Sequence, residues 1–433
     1  MIERLFGVRR AGSTPSTEIR AGIVTFLTMS YILFVNPQIL AQAGLPADDV
    51  AVATAVASAV ATLIMGLWAN YPIALAPGMG LNAYFTFGVV LGLGVPWPVA
   101  LAAVFVEGVL FFALSLSGAR SALVDAIPGT IKIATAGGIG LLLAIVGFEH
   151  AGLVVDHPAT LVTLGDVTQP GLLLALGGLL VIAALMTLRV QGAILIGILA
   201  VTGGSWALGL AAPPERLFTL PALPTETFLA MDFSGLLTGK LLLVVVAFLF
   251  VDILDTAGTL FGVGRLGGFV NAQGVLPRSG RAFTADAVGT VCGAALGTST
   301  VTCYVESATG IEEGGRTGLT AVTVAALFLV SLFVTPLLVA VPAIATAPAL
   351  MVVGAILMQG VREIPWERVD EAVPAFLTLA VMPLTYSIAN GISLGIVSWA
   401  AIKVLAGRRR EIHPLIAVLA VLLVIYYAVR TGG

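Results

Sequence analysis

Apolar stretches of bilayer-spanning length follow one another along almost the whole of this chain, with only short polar loops between them. A spanning α-helix needs about 20 apolar residues. Lipid offers no partner for backbone N–H and C=O groups, so a chain of this kind must satisfy them internally, in helices. Composition agrees: 59% of the 433 residues are hydrophobic and 10% are charged, against about 25% charged in soluble proteins. The expectation is an all-α polytopic protein of the cell membrane, embedded in the lipid bilayer and without a separate soluble domain. The longest polar interlude, about 211–235, is small and rich in proline.

Fourteen spans are read, at about 19–40, 49–69, 80–93, 97–117, 130–148, 170–188, 192–210, 237–263, 282–296, 305–313, 317–335, 342–360, 372–388 and 390–407. Positive charge follows the same count. Arg4, Arg9, Arg10 and Arg20 precede the first apolar run, which places the N-terminus in the cytoplasm. Arg120, Arg189, Arg265, Arg278, Arg281, Arg316, Arg362, Arg368, Arg408, Arg409 and Arg410 each follow an even-numbered span. The interlude at 211–235 follows an odd one and carries only Arg216. The first apolar run lacks a small-residue cleavage site followed by polar sequence, so no cleaved leader is expected.

The third and tenth spans are short and interrupted, and they hold equivalent places in two halves of seven. AIPGTIKIATAGG (126–138) resembles AVPAIATAPAL (340–350), and QGAILIGI (191–198) resembles NGISLGI (390–396). The offsets are about 214 and 199 residues, against about 220 for the interrupted pair. An odd number of spans per half inverts the second half, giving a 7+7 inverted repeat. Paired short segments broken by Gly or Pro point to a transporter site. The last apolar stretch, His413–Val429, lies outside the repeat, as a further span or an interfacial helix.

Acids buried at membrane depth carry the chemistry. A carboxylate there costs about 2.5–3.5 kcal/mol even on a lenient insertion scale. Glu306 lies in GTSTVTCYVESATG (297–310), and Asp252 and Asp255 lie in FLFVDILDTAGTL (248–260). In LAPGMGLNAYFT (75–86), Pro77, Gly78 and Gly80 predict an extended piece followed by a half-helix starting near Gly80. GTSTVTC predicts a second extended piece before a half-helix starting near Tyr304, and the two strands can pair. Half-helix N-termini would present N–H donors and partial positive charge. Glu306 in a first turn would be an anionic acceptor able to take two N–H bonds from a planar heterocycle, or else a helix cap.

Asp252, Asp255 and Thr259, spaced i, i+3, i+7, share one helical face, with Gly258 removing bulk beside Asp255. Two acids one turn apart should not both ionise comfortably, which suits proton coupling; a fixed salt bridge or a hydrogen bond to backbone is the alternative. Asn82 is a ligand or a cap. Glu107 is read as a packing or gating contact, and Lys132 enters the fifth span. Tyr304 and Phe85 could stack on a base or simply fill the core. Cys292 and Cys303 lie in spans without CxxC spacing, which argues against a disulfide. His150, His157 and His413 form no ligand cluster, so no metal or other cofactor is expected. Neither a nucleophile–base pair nor a metal cluster supports an enzyme, and no nucleic-acid partner is expected.

These motifs resemble the AzgA-like branch of the nucleobase–cation symporters, the purine (hypoxanthine/guanine/adenine) permeases. AGIVTFLTMSYILFVNP (21–37), APGMGLNAYF (76–85), DILDTAGTL (252–260), CYVESATGI (303–311) and SIANGISLGI (387–396) carry the likeness, in order, over nearly the whole chain. The resemblance implies a core domain from residues 15–118 and 236–336, and a gate domain from 119–210 and 337–433. It implies a base held between the third and tenth segments by Asp255 and Glu306; Thr259, Asn82, Gly80, Leu81, Tyr304 and Ser307 are the further candidates for the substrate site. Proton coupling is expected at Asp255 and Asp252, protons being favoured over sodium, and the resemblance implies a homodimer formed through the gate domain. Uracil-type relatives have a His where this chain has Thr259 and a Glu where it has Asp255, which favours the purine branch.

The function expected is proton-coupled import of purine nucleobases, guanine and hypoxanthine ahead of adenine, by alternating access. Competing readings are a uracil/xanthine-type permease, an anion carrier of the same architecture, and a channel. An anion carrier would want a cation at the tenth segment, and no Lys or Arg lies between Arg281 and Arg316.

Overall fold

The computed structural model describes residues 2–117, 128–158, 160–221, 223–235, 239–271 and 276–431. Arg120, the expected 118/119 domain boundary and the start of the 126–138 repeat motif lie outside the described residues. The first half of the chain contains α1 (Pro15–Met29), α2 (Ile32–Gln42), α3 (Ala47–Ile64), β1 (Leu75–Pro77), α4 (Met79–Ala83), α5 (Trp97–Ser117), α6 (Gly129–His150), β2 (Val154–His157), β3 (Leu161–Leu164), α7 (Pro170–Thr187) and α8 (Ala193–Ala207). The second contains α9 (Gly239–Leu266), α10 (Ser279–Leu296), β4 (Val301–Cys303), α11 (Ser307–Glu312), α12 (Gly318–Ser331), α13 (Ala343–Leu357), α14 (Val369–Thr385), α15 (Ile388–Leu405) and α16 (Pro414–Thr431).

Among the described residues, eight helical stretches are long and apolar enough to cross a membrane, and Met79–Leu91, Ala193–Ala207 and Asn390–Leu405 are shorter apolar helices. The polar interlude forms no helix or strand among its described residues and is strapped across helix ends. Glu226 and Thr227 donate backbone N–H groups to Asp49 at 2.7 and 3.0 Å, and the Thr227 hydroxyl donates to Leu296 O at 2.7 Å. The β2–β3 hairpin was not anticipated from the sequence; it pairs Val154 with Leu164 through His157 with Leu161.

The first expected span, 19–40, is two helices rather than one. Side-chain hydroxyls compete for the backbone carbonyls there. Thr28 donates to Val24 O and Thr25 O, and Ser30 donates to Leu27 O, just before the break at Ser30 and Tyr31. Tyr31, at that break, is 1% exposed.

At the centre, β1 and β4 pair antiparallel in the register Leu75–Cys303, Ala76–Thr302 and Pro77–Val301. Gly78 N–H to Thr300 O at 2.9 Å and Tyr304 N–H to Ala74 O at 3.0 Å extend the ladder. Each strand is clasped by one threonine from a neighbouring helix. Thr62 of α3 accepts from Leu75 N–H at 2.9 Å and donates to Leu75 O at 3.0 Å. Thr290 of α10 does the same for Val301, both at 3.1 Å. Non-helical backbone at membrane depth thus has its hydrogen bonds supplied by protein.

Small residues set the helix contacts, as expected where lipid gives helices no hydrophobic reason to associate. A Cβ on Gly140 of α6 would lie 2.6 Å from Gly354 O of α13, and one on Gly354 would lie 2.5 Å from Gly140 O. On one flank, Lys403 of α15 is fully covered and reaches Asp370 at 2.5 Å, Glu371 at 2.9 Å and Glu411 at 3.0 Å. Thr130 and Trp399 also donate to Glu371, at 2.7 and 3.1 Å, tying α6, α14 and α15 together.

Candidate functional site

The two broken segments converge on one open cavity of about 880 Å³, within the roughly 300–1,000 Å³ usual for small-molecule sites. Its wall includes Tyr31, Gly80, Leu81, Asp255, Thr259, Tyr304 and Glu306. Lys132, Gln359 and Leu266 line it as well, at or near the ends of α6, α13 and α9.

β1 ends at Pro77, whose fixed φ and missing N–H suit an edge of extended chain. α4 then begins without a side-chain cap, and its first i→i−4 bond is Asn82 N–H to Gly78 O at 2.8 Å. The N–H groups of Gly80 and Leu81 therefore precede the helical ladder, and both residues line the cavity. Gly80 is also required for packing, since a Cβ there would lie 2.5 Å from Ile139 Cγ2 of α6. Across the ladder, Ser307 and Ala308 donate to Tyr304 O and Val305 O at 3.2 and 2.9 Å, so the first turn begins at Tyr304.

Glu306 occupies the N-cap position of α11, but its side chain makes no capping bond. Its Oε1 instead accepts from the Tyr31 hydroxyl at 2.6 Å, a charge-assisted length. The capping alternative thus fails at Glu306 because Tyr31 holds the carboxylate over the cavity. Tyr31 had no assigned role, although it lies in the quoted 21–37 motif; its partner Glu306 is 275 residues away in sequence. Tyr304 donates its hydroxyl to Pro77 O at 2.6 Å, bolting one broken segment to the other.

Asp255 is exposed to the cavity and close enough to Glu306 to act on it electrostatically. A Cβ on Gly258 would meet nothing within 4 Å, so its missing side chain leaves room in the cavity rather than admitting a helix. The expected common face is split: Asp255 and Thr259 look into the cavity, while Asp252 is 0% exposed and turned toward Glu107. α9 is wide enough for residues three apart to diverge once one side packs against α5 and the other stays open.

Asn82 and Ser307 do not line the cavity. The Asn82 carbonyl accepts from the Ser299 hydroxyl, and Ser307 Oγ accepts from Ala74 N–H at 3.0 Å. Both brace the broken segments from behind. Asp286 of α10, 0% exposed, went unremarked in the sequence, although an acid inside the 282–296 span was its signal. Among the described residues no group of His, Cys, Asp and Glu could hold a metal ion.

Residues 16–394 match the Permease family, Xan_ur_permease. A guanine/hypoxanthine permease of Bacillus subtilis, PbuO, is 44% identical over 425 residues, covering 96% of this chain and 98% of its own. An adenine permease of Escherichia coli, AdeP, is 38% identical over 432 residues, covering 98% and 95%. Among solved structures, the transmembrane domain of a cyanobacterial bicarbonate transporter, BicA, matches with a TM-score of 0.67 at 17% identity, over 87% of this chain and 97% of that one. That last likeness is one of fold alone.

Proposed function

This chain belongs to the Permease family, in its AzgA-like purine branch, and we propose that it imports purine nucleobases by proton symport. As a multi-pass membrane permease it is a carrier, not an enzyme. The observation that carries the substrate reading is the pairing of Asp255 and Glu306 in one cavity, on a chain so close to a guanine/hypoxanthine and an adenine permease. Guanine and hypoxanthine are placed ahead of adenine. Both carry an N1–H donor beside a carbonyl, with a neighbouring 2-amino donor in guanine, where adenine has a bare ring nitrogen; the carboxylates of Glu306 and Asp255 supply the acceptors. The N–H groups of Gly80 and Leu81 supply donors opposite, and Thr259 lies alongside.

A 7+7 inverted repeat of fourteen spans underlies this reading. The Thr62–Leu75 and Thr290–Val301 clasps, the β1–β4 pair and the Gly140–Gly354 crossing each relate equivalent places in the two halves. Core (15–118, 236–336) and gate (119–210, 337–433) would rock against one another. The cavity reaches the ends of α6, α13 and α9, which the arginine distribution assigns to the cytoplasm. At the opposite ends, Gln42 bonds His150 at 2.7 Å and Gln38 donates to Val341 O at 2.7 Å, while the Phe87 and Tyr386 rings meet at 5.8 Å. The arrangement fits an inward-open carrier closed outside.

One proton crossing 100 mV supplies about 2.3 kcal/mol, roughly forty-fold accumulation of a neutral base at about 1.4 kcal/mol per decade. Uptake of labelled hypoxanthine, guanine, adenine, xanthine and uracil tests the reading, in cells lacking their own permeases, with and without a protonophore. Saturable uracil uptake without purine uptake would sink the substrate assignment. Uptake that follows sodium and ignores the protonophore would sink the coupling.

A further inference from the structure

Behind the cavity wall lies a second group of acids. Glu107 of α5, Asp252 of α9 and Asp286 of α10 are each 0% exposed. None of their carboxyl oxygens meets a donor in good hydrogen-bond geometry, although Thr300 lies against Glu107 and Thr256 against Asp286. Glu107 adjoins Asp252 and Asp286, and Asp255 acts on both Asp252 and Asp286. Gly108 permits the closeness of α5 and α10, since a Cβ there would lie 2.9 Å from Thr290 Cγ2 and 3.1 Å from Val291 N.

The titratable groups that face the cluster are Asp255 from α9 and Cys303 from β4; among the described residues no Lys, Arg or His adjoins it. Thr256 of α9 lies against Asp286. A further polar group faces the cluster: Thr300 is 0% exposed, its hydroxyl makes no well-formed hydrogen bond, and it lies against Glu107.

Three carboxylates sealed together without a cation cannot all be ionised. As neutral acids they become O–H donors. One carboxylate flanked by two neutral carboxyls and a threonine hydroxyl has enough donors to remain charged in a buried place. Three acids can therefore do what one alone cannot: hold a proton, release it, and leave a tolerated anion behind.

We propose that Glu107, Asp252 and Asp286 form a buried proton-holding site behind the substrate cavity. Asp252 is the member that cycles, and Glu107 and Asp286 stay protonated as its donors. In the loaded state all three are neutral. On release the Asp252 proton passes to the carboxylate of Asp255, three residues along α9 and exposed to the cavity, and leaves Asp252 as the shared anion. This deepens the symport reading and rests on it.

The test separates driven accumulation from substrate exchange, in cells and in vesicles preloaded with unlabelled base. Wild-type uptake that is driven by the proton gradient establishes the symport reading first. Asp252→Asn should then lose protonophore-sensitive accumulation, falling to equilibration, while preloaded vesicles still exchange labelled for unlabelled base. Glu107→Leu removes a donor and should move the midpoint of the pH profile of uptake to the alkaline side, by more than Glu107→Gln, which keeps an N–H. Full accumulation by Asp252→Asn overturns the proposal. So do Glu107→Leu and Glu107→Gln profiles that superimpose on wild type.

Discussion

Two clusters of acids in this molecule have opposite surroundings. Asp370, Glu371 and Glu411 gather around the covered ammonium of Lys403, at 2.5 to 3.0 Å, with Thr130, Trp399 and Arg408 filling further acceptor sites. Glu107, Asp252 and Asp286 are more deeply buried and adjoin no cation among the described residues, only one another and the hydroxyls of Thr300 and Thr256. The first cluster is electrically complete and behaves as a strut between α6, α14 and α15. The second is incomplete, and an incomplete buried charge group is costly unless something mobile completes it. Between these extremes stand Asp255 and Glu306, open to the cavity, with one carboxylate oxygen pinned by Tyr31.

If that contrast is correct, substitutions should separate transport from folding. Glu306→Gln and Asp255→Asn should each abolish purine uptake, by more than about a hundredfold, the scale of one to two charge-assisted bonds at about 1.5–3 kcal/mol each. Both proteins should reach the membrane with wild-type melting temperatures. Full uptake by either variant removes that residue from the site. Lys403→Met should do the reverse: three acids lose their shared cation, so yield and melting temperature should fall well below those of Glu306→Gln. Unchanged melting would mean that the Lys403 cluster is no strut.

Tyr31→Phe keeps the ring and removes one hydrogen bond to Glu306, so a roughly tenfold rise in KM is expected, at about 1.4 kcal/mol. A change confined to the maximal rate would contradict a positioning role. Hydrogen bonds from Lys403, then Arg408, hold the Glu411 carboxyl below its usual range. A depressed carboxyl contributes stability above its unfolded pKa, about 4.3, and loses it as pH falls through the lower folded value. Melting measured from pH 8 to pH 5 should therefore show no loss from this cluster; a fall in that window would contradict the pairing. Smallest of all, Thr62→Val and Thr290→Val should each lower stability by about 1 kcal/mol, and by similar amounts if the two clasps are equivalent. Thermal melts of the two variants make the comparison.

Much of the architecture was legible because membrane insertion leaves few options. Hydropathy located the helices, and Gly, Pro and β-branched residues located the extended pieces that became β1 and β4. Intramembrane acids flagged Asp255 and Glu306, both of which line the cavity. Sequence patterning was less informative about direction. Asp252 and Asp255 share a helix and differ by three positions, yet one is sealed and the other open, because packing of α5 against α9 covers only one side. Asn82 and Ser307 read as ligands because they sit in the right segments, but their partners are Ser299 and Ala74.

The sequence by itself determined that this chain lies in a bilayer, roughly where its apolar helices run, and which costly acids it keeps there. Insertion energy depends on local composition, and composition is written along the chain. Tertiary structure alone decided which acids meet a cation, which meet a tyrosine and which meet only one another. Those outcomes depend on contacts between residues as far apart as Tyr31 and Glu306, and on glycine crossings whose partners lie in the other half of the chain.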